Sequence, residues 1–125
     1  MICAIILASG NSTRFNSEIP KQFHILNGHM LLDYPIQTFS ECSEIDRLII
    51  VVPKNYCSEI QEAYPDHSVV SGSSSRKESA FKGLIACPPE TKKVLIHDAA
   101  RALVDTATII RCINGLDGAK AVSTA

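Results

Sequence analysis

Four short runs of almost uninterrupted apolar residues recur along this chain, and they restrict its fold more than any other feature. They span residues 2–7, 47–52, 67–70 and 93–97. Strands that are covered on both faces need such runs rich in Ile and Val, whereas strands with one solvated face alternate apolar and polar residues. The runs therefore predict parallel strands that lie between layers of helices.

Stretches with helical spacing of apolar residues separate the predicted strands, and a last run predicts a fifth strand at 119–125. Asp105 is a candidate N-cap of the last helix, and Gly115 or Gly118 is its candidate stop. The alternation predicts right-handed crossovers and an open, doubly wound α/β sheet, in a single domain of residues 1–125. The predicted helices span 31–42, 56–64, 74–87 and 105–116.

Composition narrows the class of protein. With 46% hydrophobic and 20% charged residues, the chain has the make-up of a packed, soluble domain. A net charge of -1 gives none of the basic surplus that is typical of proteins that bind nucleic acids or membrane surfaces. The N-terminus shows no signal-peptide pattern, and the apolar runs are too short to span a membrane. Five scattered cysteines without a C-x-x-C pair favour neither a zinc site nor a disulfide framework, and they favour a reducing cytoplasm.

In a doubly wound sheet, ligands bind at the carboxyl ends of the strands, where the strand order reverses. Three loops follow predicted strands at such ends: 8–22, 71–79 and 97–104. These loops are the places where a binding site is expected.

The first loop combines small residues with two cations. Residues 8–13 are all small or polar, so their backbone N–H groups can approach an anion closely. Arg14 follows them, and Lys21 comes directly after Pro20, so the two cations could straddle a polyphosphate. The loop has neither a Walker nor a G-x-G-x-x-G pattern. The alternative reading is a solvated turn with two surface charges.

The third loop brings His97 and Asp98 to the end of a predicted buried strand. A carboxylate there suits Mg²⁺, which takes one or two carboxylates together with phosphate oxygens and water. The alternative is that Asp98 caps the following turn. Because neighbours on a strand point to opposite faces, we expect His97 to be a hydrogen-bonded core histidine rather than a catalytic base.

The middle loop places several hydroxyl groups at the start of a predicted helix, where free backbone N–H groups also accept anions. Gly72 is suited to a turn there. The default reading makes Ser74 the N-cap, with Glu78 nearby, and Arg76 a surface charge.

Four motifs stand out along the chain: A-I-I-L-A-S-G-N-S-T-R-F, P-K-Q-F, S-G-S-S-S-R-K-E-S and V-L-I-H-D-A-A-R. In order and spacing they resemble the motifs of the 2-C-methyl-D-erythritol 4-phosphate cytidylyltransferase family. The resemblance runs from residue 2 to the last residue. It implies a Rossmann-like nucleotidyltransferase fold, in agreement with the predicted strands and helices.

The resemblance also implies an activity, transfer of CMP from CTP to 2-C-methyl-D-erythritol 4-phosphate with release of pyrophosphate, and a homodimer in the full-length family. Arg14 and Lys21 would steady the triphosphate and the charge that develops at the α-phosphate, and Asp98 would hold Mg²⁺. Ser79 matches the hydroxyl that helps to read cytosine, and Ala99 lies where the family touches the ribose. The implied nucleotide-binding residues are Leu7, Ala8, Ser9, Gly10, Ser73, Ser74, Arg76, Ser79 and Ala99.

The chain departs from the family pattern in three ways. Ser73 replaces the second glycine of the middle loop, and Ala102 replaces the proline that follows A-A-R. Members of the family also continue beyond this length, with a dimerisation arm and further residues that contact the substrate. We therefore expect a C-terminally truncated domain that keeps the nucleotide contacts and lacks those to the acceptor.

Two other functions fit the same residues. The sister family of ribitol-5-phosphate cytidylyltransferases shares the first and middle motifs, although H-D-A-A-R is closer to the isoprenoid enzymes. A non-catalytic nucleotide-binding module, with Asp98 as a structural cap, is the alternative from another class.

Overall fold

The computed structural model describes residues 1–10, 20–101 and 104–116, and its centre is a four-stranded parallel sheet. The predicted strand at 119–125, and Gly118, lie outside the described residues. The strands are β1 (Ile2–Leu7), β2 (Ile25–Leu26), β3 (His29–Met30), β4 (Arg47–Val52), β5 (Ser68–Ser71) and β6 (Lys93–Asp98). The helices are α1 (Asp33–Glu41), α2 (Cys57–Ala63), α3 (Arg76–Ala86) and α4 (Thr106–Gly115).

The strand order of the main sheet is β5-β4-β1-β6, and all of its pairs are parallel. This confirms the predicted doubly wound α/β sheet, with each strand bound within one residue of its prediction. The chain runs from β1 outward to β4 and β5, and then crosses back to place β6 on the other side of β1. The order therefore reverses between β1 and β6, where a ligand crevice is expected.

Both faces of β1 are buried, as its continuous apolar run predicts. Ala4 and Ile6 face the larger buried cluster, whereas Cys3 and Ile5 face the smaller one, and all four are 0% exposed. Helices α1, α2 and α4 supply the larger cluster with Ile36, Phe39, Ile60, Ile109, Cys112 and Ile113.

Helix α3 alone among the described helices covers the opposite face of the sheet. Its Ala80 and Ala86 pack on the smaller cluster of Cys3, Ile5, Leu7, Ile49 and Val51. Gly83 lets the helix approach the strands closely, because a Cβ atom there would lie 2.7 Å from Ile5 Cγ2. The sheet is therefore covered by three helices on one face and by one on the other.

Side-chain caps fix the starts of α3 and α4. Asp105 caps α4 as predicted and accepts the Thr108 N–H at 2.7 Å. The prediction for α3 was wrong by one position, because Ser75 rather than Ser74 accepts the Glu78 N–H, at 3.1 Å. Three consecutive serines offer the same capping oxygen, and the backbone path selects among them.

A short hairpin of β2 and β3 precedes α1, and the predictions did not include it. Asn27 and Gly28 join the two strands with φ of 54° and 81°, the positive values that a type I′ turn requires. The Tyr34 hydroxyl donates to the Leu26 carbonyl and fixes the hairpin to α1. In the described part of the chain, no helix is both long and apolar enough to cross a membrane.

Candidate functional site

A cavity of about 580 Å³ opens at the carboxyl ends of β1 and β6, where the strand order reverses. All three predicted loops contribute to its walls. The predicted site residues that line it are Leu7, Ala8, Ser9, Gly10, Ser73, Ser74, Arg76, Ser79, Asp98 and Ala99. Arg14 lies outside the described residues, and for Lys21 only the backbone is described, in a 3-10 turn at Lys21–Phe23.

The first loop is tied to its neighbours through the backbone. The Ala8 N–H donates to the Val51 carbonyl at 2.7 Å, and the Ala99 N–H donates to the Leu7 carbonyl at 2.9 Å. These bonds extend the ladder between the strands by one residue beyond β1. Backbone hydrogen bonds to both neighbouring strands therefore hold the start of the first loop, at the floor of the cavity.

Gln22 is a residue of the site that the predictions did not include. It is 7% exposed, and its amide donates to the carbonyls of Ala8 and Gly10 at 2.5 and 2.9 Å. A neutral amide in a loop gives no charge or spacing pattern. The available signal was its place in P-K-Q-F, next to Lys21.

The middle loop lies directly against the first. A Cβ atom on Gly72 would lie 2.3 Å from Ser9 Cβ and 2.9 Å from Ser79 Oγ. Any other residue at position 72 would therefore push the two loops apart. Gly72 serves close approach here, whereas the sequence suggested a turn.

The Ser79 hydroxyl joins these two loops. Ser79 is 1% exposed, and its Oγ accepts from Ser9 Oγ at 2.8 Å and from the Ser73 N–H at 2.9 Å. The same hydroxyl lies 3.3 Å from the Ser73 carbonyl, to which it can donate. Protein groups thus occupy this hydroxyl in the structure, and its predicted contact with cytosine stays a prediction.

Asp98 and Arg76 face each other across the cavity. Arg76 Nε donates to Asp98 Oδ1 at 3.1 Å, and Arg76 Nη2 donates to Asp98 Oδ2 at 3.3 Å. Their side chains are 40% and 62% exposed, and pairs as exposed as this contribute only about 0–1 kcal/mol to stability. The described contacts of this carboxylate go to Arg76 and not to N–H groups of the next turn, which disfavours the capping alternative. A ligand can therefore replace Arg76 as the partner of Asp98, or Asp98 as the partner of Arg76, at little cost in free energy.

His97 points to the opposite face of β6, as predicted. It is 1% exposed, its ring centroid lies 5.4 Å from that of Phe39, and its Nε2 donates to the Arg101 carbonyl at 2.8 Å. Burial is the main cause that lowers the pKa of His97 below its ordinary value of 6.5. This confirms a hydrogen-bonded core histidine. Its bond to the Arg101 carbonyl also ties β6 to the loop that follows it.

The charged side chains around the cavity suit an anionic ligand that binds together with a metal cation. Arg76 and Arg101 line the cavity, and Asp98 is the one carboxylate among its described lining residues. In the described ranges, no three His, Cys, Asp or Glu side chains come together as a metal-binding group. A single carboxylate fits Mg²⁺ that arrives with phosphate oxygens and water, and it does not fit a metal held by protein ligands alone.

A parallel sheet whose switch point carries a cavity of small residues, two arginines and one carboxylate is typical of nucleotide-binding domains of the doubly wound class. A family model described as IspD, 2-C-methyl-D-erythritol 4-phosphate cytidylyltransferase, matches residues 2–125. The chain belongs to this family.

Named relatives and solved structures agree with that assignment. The 2-C-methyl-D-erythritol 4-phosphate cytidylyltransferase of Clostridium novyi is 36% identical over 110 residues, which are 82% of this chain and 47% of the relative. The crystal structure of 4-diphosphocytidyl-2C-methyl-D-erythritol synthase from Anaerococcus prevotii superposes with a TM-score of 0.75 at 31% identity, over 93% of this chain and 51% of that one. The chain therefore spans about half the length of these relatives.

A third structure is similar in fold alone. The manganese complex of Rv0371c from Mycobacterium tuberculosis has a TM-score of 0.73 at 20% identity, over 94% of this chain and 60% of that one. The fold of this chain thus occurs in proteins of low sequence identity.

Proposed function

We propose that this chain forms the CTP-binding part of a cytidylyltransferase, and that the whole protein transfers CMP from CTP to 2-C-methyl-D-erythritol 4-phosphate. In this reaction an oxygen of the acceptor phosphate attacks the α-phosphorus of CTP, the bond to the β-phosphate breaks, and pyrophosphate leaves. The acceptor phosphate is already anionic near neutral pH, so the reaction needs no dedicated general base. It needs positioning and charge neutralisation.

One observation carries the proposal. Three loops that lie apart in sequence, at 8–22, 71–79 and 97–104, meet at one cavity of about 580 Å³, and the motifs of the family lie on those three loops. A volume of this size is within the range of small-molecule sites. Family membership supplies the identity of the ligand, and the small residues of the first loop supply backbone groups that can approach a phosphate.

Each site residue then has a physical role. Arg14 and Lys21 neutralise the triphosphate and the charge that develops at the α-phosphate. Leu7, Ala8, Ser9 and Gly10 form the floor under the nucleotide, and Ser73, Ser74 and Ser79 form the wall on the side of the base. Ala99 lies beside the ribose. Arg76, now paired with Asp98 at 3.1 Å, supports the middle loop and orients this carboxylate.

Asp98 is the residue that would hold the divalent cation, which we propose to be Mg²⁺. Such a cation would neutralise charge on the phosphate oxygens. The partial exposure of Asp98 and its weak pairing with Arg76 leave its oxygens accessible to such a cation.

Calorimetric titration of this chain with CTP in the presence of MgCl₂ tests the proposal. We expect saturable binding, at least about tenfold weaker for Asp98→Asn because one charged ligand is lost. Asp66→Asn is the matched control, since Asp66 is exposed and lies outside the cavity, and it should bind like the unmodified chain. Absence of CTP binding with Mg²⁺, or equal affinity of Asp98→Asn, would contradict the proposal.

The acceptor is tested with the full-length protein. Pyrophosphate release should depend on 2-C-methyl-D-erythritol 4-phosphate, and ribitol 5-phosphate in its place should give little product. We also propose that the full-length protein is cytoplasmic, which its five free cysteines support. We propose that it forms a homodimer, as its family membership suggests. Sedimentation of the full-length protein measures the oligomeric state.

A further inference from the structure

We propose that Gln22 is a positioning residue that sets the backbone path of residues 8–10 at the start of the first loop, so that the Ser9 N–H is presented to the phosphates of the nucleotide. The inference rests on the proposed binding of CTP. It concerns a side chain that lines the cavity yet directs both of its donors at the protein.

The contacts of Gln22 fix the two carbonyl groups on either side of Ser9 in sequence. Its Nε2 donates to the Ala8 carbonyl at 2.5 Å and to the Gly10 carbonyl at 2.9 Å, so both amide hydrogens are used. Two bonds from one nitrogen set the distance between these carbonyls. The path of the chain through Ser9 is therefore held from outside the loop.

Peptide geometry turns this restraint into a direction for the N–H groups. In a trans peptide, the carbonyl of one residue and the N–H of the next point in opposite directions. Since the Ala8 carbonyl points at Gln22, the Ser9 N–H points away from Gln22. Anion-binding loops need N–H groups turned outward with their carbonyls turned back, and Gln22 holds these carbonyls back.

Gln22 is itself rigidly supported. Its own carbonyl accepts the Leu32 N–H at 2.9 Å, and the Phe23 N–H donates to the Pro20 carbonyl at 3.0 Å. The Phe23 ring stacks on the Tyr56 ring with 4.1 Å between centroids. Because the backbone around Gln22 is held by these contacts, its side chain can restrain the position of residues 8–10.

The experiment compares two variants with a control in CTP titrations with MgCl₂. Gln22→Glu keeps the size of the side chain but aims a carboxylate at two carbonyl oxygens, and Gln22→Met removes the donors without adding charge. We expect each to bind CTP about tenfold to a hundredfold more weakly, as the loss of two hydrogen bonds predicts. Gln37→Glu is the control, because Gln37 is exposed and hydrogen-bonds Glu41 on α1.

A pH series separates positioning from a general loss of structure. Protonation of the introduced carboxyl restores one O–H donor, and its surroundings raise the pKa of such a group above the ordinary value of about 4.3. The ratio of the Gln22→Glu dissociation constant to that of the unmodified chain should therefore fall towards one between pH 8 and pH 5.5. The same ratio should stay flat for Gln22→Met and for Gln37→Glu.

The outcomes are distinct. Weak binding by both Gln22 variants, with a pH-dependent recovery of Gln22→Glu alone, supports the inference. Affinities equal to that of the unmodified chain, or a Gln22→Glu defect that does not change with pH, overturn it and leave the proposed function standing. Absence of CTP binding by the unmodified chain overturns both.

Discussion

The two faces of the central sheet are covered in different ways. On one face, α1, α2 and α4 bury a large cluster in which Phe39, Ile60 and Ile109 are 0% exposed. On the other face, α3 packs alone among the described helices, and the same helix supplies Arg76 and Ser79 to the cavity. The first face contributes mainly to stability, whereas the second joins stability to binding in one helix.

The outer side of α3 sharpens this contrast. Phe81 is 61% exposed and Ile85 is 68% exposed, although both are large apolar residues. On the three-helix face, by contrast, Phe39 is 0% exposed. A substitution should therefore separate stability from binding on the first face and couple them on the second.

The largest expected effect is that of Phe39→Ala. Loss of a fully buried ring should lower the free energy of unfolding by about 3–5 kcal/mol, because it removes apolar contacts and leaves a cavity. Phe81→Ala is the matched control on the other face and should change it by no more than about 0.5 kcal/mol. Urea denaturation measures both, and similar losses at the two positions would contradict the contrast between the faces.

Gly83→Ala should have the next largest effect, since the new Cβ atom would lie 2.7 Å from Ile5 Cγ2 and 3.3 Å from Val51 Cγ2. The strain outweighs the higher helix propensity of alanine, so we expect a net loss of about 1–2 kcal/mol. Displacement of α3 should also weaken CTP binding. Ile85→Ala, at an exposed position of α3 outside the cavity lining, should do neither. A more stable Gly83→Ala variant would show that α3 can move away from the sheet without cost.

A smaller effect is expected from the helix caps. Ser75→Ala removes the acceptor of the Glu78 N–H and should lower stability by about 1 kcal/mol. Asp105→Ala removes the corresponding cap of α4, where the Thr108 N–H donates. Both should lower the thermal midpoint, yet only the cap of α3 borders the cavity, so only Ser75→Ala should weaken CTP binding. Equal losses of affinity would contradict the division of roles between the faces.

The smallest effect is the pH dependence that His97 gives to the three-helix face. Burial lowers the pKa of His97 in the folded chain, so the unfolded chain takes up the proton first. This contribution to stability is therefore present above the ordinary pKa of 6.5 and is lost as the pH falls below it. His97→Gln should reduce the fall of the urea midpoint between pH 7 and pH 5, whereas His29→Gln on the exposed hairpin should not. An unchanged slope in His97→Gln would assign the effect to another group.

The main sheet could be predicted because its strands are long enough to carry a pattern. The five consecutive aliphatic residues of β4, Leu-Ile-Ile-Val-Val, exclude an alternating strand and a surface helix. The β2 and β3 strands have two residues each, which is too few for any periodicity. The one sequence signal for the hairpin was the Asn27-Gly28 pair, which favours positive φ, and the predictions did not use it.

The candidate site was predictable as far as chemistry follows from single residues. Charged Asp98 and small residues such as Gly10 mark the ends of strands, and the predicted sheet brings those ends together. Gln22 and Arg101 were missed because their importance depends on distances that only the folded chain sets. For the same reason the sequence could not show that Ser79 turns its hydroxyl to Ser9 and Ser73.

The position of β1 in the sheet also has a consequence for the order of folding. The sequence separation between paired residues is small for β4 and β5, where Ile49 pairs with Ser68. It is much larger for β1 and β6, where Ile2 pairs with Lys93. Pairing over so long a stretch costs more loop entropy and slows folding. The cavity lies between β1 and β6, so we expect the nucleotide site to be completed by the late closure of this strand pair.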